Sequence, residues 1–164
     1  MTGIEIKLGK NIVGHVKYVG RDEDGNINYE HEHNESLGEH NTVCDLYYDL
    51  MADLLAGGSD AIIAYAPCGT STGGVATDTN LKTHVDEIRT QIDSITQGAA
   101  ADSHKVVVVA TFGAGVCTAT LTEAGLFVAS AQATADMMLY DDSISYVKGA
   151  ADTLEITWTI THEN

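Results

Sequence analysis

The sequence predicts a mainly β domain with one principal α-helix. Three observations predict this class: alternating apolar residues in the last third of the chain, a hairpin signal near its start, and one stretch with helical spacing. The alternation is clearest at 153–161, where every second residue is apolar and the residues between them are Thr or Glu. A period of two places one kind of side chain on each face of a strand. We therefore expect a buried face formed by Leu154, Ile156, Trp158 and Ile160.

Residues 1–36 are predicted to form N-terminal strands and a hairpin. Apolar and polar residues alternate at 3–9, 12–19 and 27–33, as they do in half-buried β-strands. An Asp-Gly-Asn sequence at 24–26 separates the second and third runs. Because Gly and Asn accept the positive φ of tight turns, we expect these two runs to pair as a hairpin.

A single helix is predicted at 42–56. Asn41 or Thr42 is expected to cap it, with Asp45 in a capping-box-like position three residues after Thr42. The stretch has an apolar face with the i, i+3, i+4 spacing of an amphipathic helix. That face consists of Val43, Leu46, Tyr47, Leu50, Met51, Leu54 and Leu55. A Gly-Gly pair at 57–58 is expected to end the helix, because Gly readily adopts the left-handed conformation found at helix ends.

Residues 60–164 are predicted to supply the remaining strands of a single domain, 1–164. Short β-branched or apolar runs predict strands at 61–66, 106–112, 121–127, 137–139 and 153–161. The stretch 81–95 fits both helical and alternating patterns, and we interpret it as a short helical turn that leads into a strand. The sequence contains no repeat and no linker long enough to divide the chain.

The charge of the chain restricts its partners. With 8 basic and 24 acidic residues, the formal net charge is −16. Such a surface repels phosphate backbones and anionic lipid, so we expect no nucleic-acid partner and no membrane-surface binding. The charge has two interpretations: ordinary solubility with an acidic bias, or adaptation to high salt, which screens self-repulsion. No signal peptide is visible, and no apolar run approaches the roughly 20 residues that span a bilayer, so no membrane insertion is expected.

The sequence gives little support for a metal site or a disulfide scaffold. Cys44, Cys68 and Cys117 are widely spaced and include no C-x-x-C pair, so we predict buried free thiols. His31 and His33 share one strand face and are weak candidates for metal ligands, because a site needs a third ligand. We interpret them as ordinary or interfacial histidines and predict no cofactor, a reading that is compatible with weakly bound cations.

No catalytic residues are predicted, and the chain is interpreted as non-enzymatic. The small-residue loop at 68–74 lacks the spacing and the lysine of a phosphate-binding loop. The acidic turn at 22–26 does not fit the ligand positions of an EF-hand. Glu123 lies inside an apolar stretch and is expected to be the one partly buried carboxylate. Without a second carboxylate beside it, we expect Glu123 to accept structural hydrogen bonds.

The order of short motifs along the chain resembles that in a family of small virion proteins of tailed viruses. These motifs are Asp24-Gly25, His40-Asn41, Gly69-Thr70, Asp78-Thr79-Asn80-Leu81, Glu123 to Phe127, and Lys148 to Ile160. The resemblance depends on their order and on the last two motifs together. It implies a jelly-roll-like β-sandwich without enzymatic activity that forms oligomers on the capsid exterior or in the tail.

The resemblance also implies a function and a location. The chain is expected to be a capsid decoration or turret protein of the virion, assembled in the host cytoplasm, with itself and other virion proteins as partners. A tail, baseplate or fibre component is one alternative, and a host-surface carbohydrate-binding module is another. A single Trp counts against a sugar-stacking platform. The strong acidity departs from bacterial-virus relatives and indicates a host that lives in brine, such as a haloarchaeon.

Four apolar residues are predicted to anchor the core: Leu50, Leu126, Phe127 and Trp158. Trp158 has the largest apolar area among them and is expected to lie on the inner face of its strand, next to Phe112 and Phe127.

Overall fold

The computed structural model describes residues 12–34, 41–58 and 62–162. In chain order the elements are β1 (Ile12–Arg21), β2 (Ile27–Asn34), β3 (Asn41–Val43), α1 (Asp45–Leu55), β4 (Tyr65–Ala66), β5 (Cys68–Gly69), β6 (Thr90–Gln91), β7 (Ser94–Gln97), β8 (Lys105–Phe112), β9 (Thr120–Leu121), β10 (Glu123–Phe127), β11 (Met137–Asp141), β12 (Tyr146–Val147) and β13 (Thr153–His162). The predicted class is confirmed: the fold is mainly β, of sandwich type, with one α-helix in the described residues. The strand predicted at 3–9 lies outside them.

The first sheet has five antiparallel strands in the order β2-β1-β13-β8-β7. The predicted hairpin is confirmed, because β1 pairs with β2. Its turn is closed by Asp22, whose Oδ1 accepts hydrogen bonds from the backbone N–H groups of Asp24 at 3.0 Å and Asn26 at 2.8 Å. Gly25 has a φ of 83°, a left-handed conformation that Gly adopts without a steric penalty.

The alternation predicted for the last strand is also confirmed. On β13 the four apolar residues from Leu154 to Ile160 are buried, and Glu155 between them is exposed. β13 pairs over its whole length with β1 and over eight residues with β8. The long strands of this sheet therefore combine a continuous hydrogen-bond ladder with one apolar face.

The second sheet has short strands in the order β3-β11-β10-β4-β6, and β5 also pairs with β10. All five residues of β10 and all five of β11 are buried. Both faces of these strands are covered, which is why their sequences are apolar without clear alternation. A separate pair, β12 with β9, completes the fold.

The core consists of two clusters of buried side chains. The larger one lies between the sheets and contains three of the four predicted anchors, Leu50, Leu126 and Trp158, together with Phe112. Phe127 is also buried but belongs to a second cluster with Cys44, Leu81, Met137 and Tyr140. The expectation that Trp158 packs beside Phe127 is therefore wrong, because Leu126 and Phe127 are consecutive on β10 and point to opposite faces.

The helix begins later than predicted. Asn41–Val43 is a strand that pairs with β11, and α1 starts at Asp45 after Cys44, which makes no side-chain cap. The capping-box prediction is therefore wrong. The reason is that other segments satisfy the first N–H groups: Cys44 donates to the Met138 carbonyl and Asp45 donates to the Ala76 carbonyl, each at 2.9 Å. At the other end Gly57 has a φ of 85°, as predicted for a helix stop.

The other corrections concern short elements. The stretch 81–95 contains no helical turn and is irregular up to β6 and β7. Its backbone N–H groups donate hydrogen bonds to a buried carboxylate and to the carbonyls of distant residues, so they are not available for a helix. The strand predicted at 61–66 is limited to β4 in the described residues, and a second short strand, β5, follows Pro67.

Candidate functional site

His31 and His33, the weak metal candidates, are not joined by a third ligand in the described residues. His33 is fully buried, and its Nδ1 lies 2.5 Å from Oδ2 of Asp141. The ring of His31 stacks on that of Tyr18, with centroids 6.1 Å apart. Within the described ranges, no group of three or more His, Cys, Asp or Glu side chains is placed to hold a metal ion. His33 thus takes part in a buried polar network.

Asp141 is the centre of that network, which links the two sheets. Its Oδ1 accepts hydrogen bonds from the Tyr18 hydroxyl at 2.6 Å, the Ser143 hydroxyl at 2.6 Å and the Ser143 N–H at 3.0 Å. Tyr18 is on β1 and Asp141 is on β11, so the network crosses the interior of the sandwich. Burial, followed by the charge of Asp141, raises the pKa of Tyr18 well above its usual value. The hydroxyl therefore stays protonated and donates.

Glu123 is fully buried on β10 and has the structural role predicted for it. Its carboxylate accepts hydrogen bonds from the backbone N–H groups of Thr83 at 2.8 Å, Lys82 at 3.2 Å and Ser71 at 3.3 Å. It therefore fixes two loops that have little secondary structure of their own. The expectation that Glu123 is the one buried carboxylate is wrong, because Asp141 is fully buried as well.

Arg89 is a second buried charge that connects loops, and no local sequence pattern predicted it. Its guanidinium donates to Oδ1 of Asp136 at 2.6 Å and to the carbonyls of Thr134 at 2.7 Å and Ala129 at 2.8 Å. The same group lies over the ring of Phe127, 3.6 Å from the centroid. Asp136 in turn accepts hydrogen bonds from the N–H groups of residues 128 and 129. The whole arrangement covers the outer face of the second sheet.

Lys148 is buried at the opposite end of β13 from the helix. Its Nζ donates to the carbonyls of Asp152 at 2.6 Å and Gly113 at 3.0 Å. Burial lowers the pKa of this ammonium from its usual value. Glu123, Arg89, Asp141 and Lys148 thus use their charges to bind the backbone or other buried groups. This chemistry is that of structural cross-links.

An apolar groove of about 220 Å³ lies between α1 and the end of the first sheet. It is lined by Tyr47, Leu50, Met51, Leu54, Ile62, Ile63, Ile95, Val106, Ile160 and His162. None of these residues is Asp, Glu, Lys or Arg. Several of the aliphatic side chains remain open to solvent, including Ile62 with an exposed fraction of 55%. The predicted apolar face of the helix is thus only partly covered by its own fold.

A second hollow, of about 530 Å³, lies on the other side of α1 and is acidic. Asp49, Asp53 and Asp136 line it together with apolar residues. Asp136 already forms an ion pair with Arg89, so this hollow does not present three unpaired carboxylates.

Comparison with known proteins identifies no relative: no protein-family model, no curated protein and no solved structure matches the chain. Among the described residues, no helix has the length and apolar character needed to cross a membrane. The resemblance to virion proteins of tailed viruses therefore stays a prediction.

Proposed function

We propose that this chain is a non-enzymatic structural protein of a virus particle and forms a homo-oligomer on the particle surface, as a capsid decoration or turret. The buried charged groups support a structural role, because Glu123, Arg89 and Lys148 bind the backbone of their own chain. The assignment to a virus particle is supported by the order of short motifs along the chain, which resembles that in small virion proteins of tailed viruses. The nearest alternative within this proposal is a component of the tail, baseplate or fibre.

The observation that carries the proposal is the uncharged groove between α1 and the first sheet. The chain has a net charge of −16, so two copies repel each other wherever their acidic surfaces meet. The ten residues that line the groove carry no carboxylate. Contact through this face therefore removes apolar surface from water without burying unpaired charges. A second copy of the chain is the occupant that fits this combination.

The test is the oligomeric state of an Ile62→Asp variant at molar salt, measured by light scattering and native mass spectrometry. Val147→Asp is the matched control: Val147 has an exposed fraction of 73% and lies on β12, close to the start of β13 and far from the groove. We expect the wild type and Val147→Asp to be oligomers and Ile62→Asp to dissociate. A strictly monomeric wild type at high concentration would contradict the proposal and favour the carbohydrate-binding alternative.

We also propose that the host of the virus lives in strong brine, which the acidic charge supports. Self-repulsion among unscreened carboxylates destabilises the compact state, and the screening length falls to about 3 Å at 1 M salt. The midpoint of thermal unfolding should therefore rise from low to molar salt. A flat or falling midpoint over this range would remove the basis for a halophilic host.

A further inference from the structure

The two edge strands of the first sheet differ in charge. β2 forms one edge and carries two exposed carboxylates, Glu30 and Glu32. β7 forms the other edge, and all four of its residues, 94–97, are exposed. They are Ser, Ile, Thr and Gln, so β7 carries no charge. Natural proteins protect exposed edges with charged residues or Pro, because an unprotected edge can pair with a strand of another molecule.

The hydrogen-bond pattern shows which backbone groups of β7 point away from the sheet. β7 pairs antiparallel with β8, and Gly98, which continues their register, donates its N–H to the Lys105 carbonyl at 2.9 Å. Hydrogen-bonded and non-hydrogen-bonded pairs alternate along such a ladder. Thr96 is therefore bonded to β8, whereas the N–H and C=O groups of Ile95 and Gln97 point outward. No other strand of the described residues lies on that side of β7.

We propose that β7 pairs antiparallel with β7 of a second copy, so that two five-stranded sheets join into one sheet of ten strands. This inference rests on the proposed homo-oligomer and names the strand through which it forms. A two-fold axis at Thr96 places Ile95 of each copy opposite Gln97 of the other. Because both residues point their backbone groups outward, this register forms two hydrogen-bonded pairs. The same strand supplies both sides of the contact, as a two-fold interface requires.

The same register keeps the acidic side chains next to β7 apart. Residues 94–101 include no charged residue, and Asp93 precedes them. With the axis at Thr96, Asp93 lies opposite Ala99 of the second copy, so the two Asp93 side chains do not face each other. Like charges directly opposite each other destabilise a strand pair. On a chain with a net charge of −16, β7 is thus an edge that a second copy can approach without direct repulsion.

This edge is continuous with the uncharged groove. Ile95 has an exposed fraction of 42% and lines the groove together with Ile62. A smaller hollow, of about 290 Å³, lies beside β7 and is lined by residues 62–64 and 91–95. A two-fold axis perpendicular to the sheet leaves both grooves on one face and places the two Ile95 side chains at diagonal positions, within reach of each other. Backbone pairing along β7 and apolar contact around Ile95 therefore form one interface.

The test is a disulfide engineered at the proposed axis. The two Thr96 residues would form a non-hydrogen-bonded pair with about 4.5 Å between their Cα atoms, a distance that a disulfide can bridge. Thr96→Cys, oxidised at molar salt in a glutathione redox buffer, should therefore give a cross-linked dimer in non-reducing electrophoresis. The wild type should give none, because its three cysteines are buried and free, as predicted.

Ser94→Cys is the matched control. Ser94 is exposed on the same strand and the same face as Thr96. In the proposed register, however, the two copies of residue 94 lie four residues apart along the paired strands, which is roughly 13 Å and too far for a disulfide. Thermal unfolding of both variants under reducing conditions checks that each is folded.

Hydrogen exchange of the wild type tests the pairing without a substitution in β7. The amides of Ile95 and Gln97 should exchange more slowly in the oligomer than in the dissociated Ile62→Asp variant. The Thr96 amide should change much less, because it is bonded to β8 in both.

The outcomes separate this inference from the proposed function. A strictly monomeric wild type, with no cross-link in Thr96→Cys, would overturn both. An oligomeric wild type in which Thr96→Cys gives no more dimer than Ser94→Cys would overturn the β7 pairing alone, because another surface would then join the copies. Fast exchange of the Ile95 and Gln97 amides in that oligomer would lead to the same conclusion.

Discussion

The two sheets of the sandwich are stabilised by different kinds of interaction. Strands in the first sheet are four to ten residues long, and β13 is hydrogen-bonded to a neighbouring strand on each side. Strands in the second sheet are two to five residues long. The loops around the second sheet are fixed by Glu123, Arg89 and Asp136, whose side chains bind backbone groups of other segments.

The difference shows how buried backbone N–H and C=O groups find hydrogen-bond partners where the strands are short. Every buried N–H and C=O group needs a hydrogen-bond partner, and a regular ladder provides one only along paired strands. In the second sheet, charged side chains provide the missing partners. Such charge-assisted hydrogen bonds are strong, but removal of one member leaves the others buried and unpaired. The first sheet should therefore respond most to lost apolar volume and the second to lost charge.

Trp158→Ala should cause the largest loss of stability. Trp158 is fully buried in the main cluster, and truncation of such a residue costs about 3–5 kcal/mol through lost apolar contact and a residual cavity. Its Nε1 has no hydrogen-bond partner in the described part of the chain, so the loss comes from packing alone. Trp158→Phe should therefore cost less. Urea unfolding would measure both, and equal losses for Ala and Phe would contradict the packing explanation.

Arg89→Leu should cost about 3 kcal/mol, at the low end of the range for breaking a buried ion pair. The substitution keeps an apolar side chain over Phe127 but removes the guanidinium that pairs with Asp136 and donates to the carbonyls of Ala129 and Thr134. Hydrogen exchange should become faster mainly in 80–92 and 128–136, around the second sheet. The control is Arg21→Leu at an exposed site, with an expected change under about 0.5 kcal/mol. Equal effects of the two substitutions would show that buried charge does not stabilise this region.

Leu50→Ala should cost about 2 kcal/mol, less than for a residue deep in the core. Leu50 is on the buried face of α1 but also lines the groove, so part of the space it leaves is open to solvent. Asp49→Ala, next to it on the exposed side, should change stability by under about 0.5 kcal/mol. The two unfolding midpoints would coincide if the helix face had been assigned wrongly.

A further prediction is a pH dependence that arises at His84. Burial, followed by the charge of Arg89, lowers the pKa of His84 to about 4 from an ordinary value of 6.5. Between pH 6.5 and 4 the unfolded state binds more protons at this site, so stability falls as the pH falls. His84→Gln should make the decrease of the thermal midpoint over this window shallower. An unchanged slope would show that His84 does not titrate as a buried group.

The first sheet was largely predictable from the sequence because one of its faces meets water. Trp158 and its neighbours alternate with Thr and Glu, and the Asp-Gly-Asn turn fixes the hairpin. In the second sheet the strands predicted at 121–127 and 137–139 are present, but their pairing and orientation were not predictable, because strands buried on both faces show no alternation. Arg89 and Asp141 look like ordinary surface residues in the sequence. Their role depends on contacts with residues 40 or more positions away, which no local pattern encodes.

The groove between α1 and the first sheet was also predictable only in part. The helical spacing of Leu50, Leu54 and their neighbours predicted an apolar face, and that face exists. The sequence could not show that the first sheet and Ile62 would complete an uncharged groove open to solvent, because these segments meet only in the folded chain.

The protein composition of purified particles of the proposed virus tests the central claim most directly. Quantitative mass spectrometry of the particles, purified at high salt, would give the copy number of the chain relative to the major capsid protein. We predict tens to hundreds of copies per particle for a capsid-surface subunit, and a few copies for a tail component. Absence of the chain from purified particles would contradict its assignment as a virion structural protein.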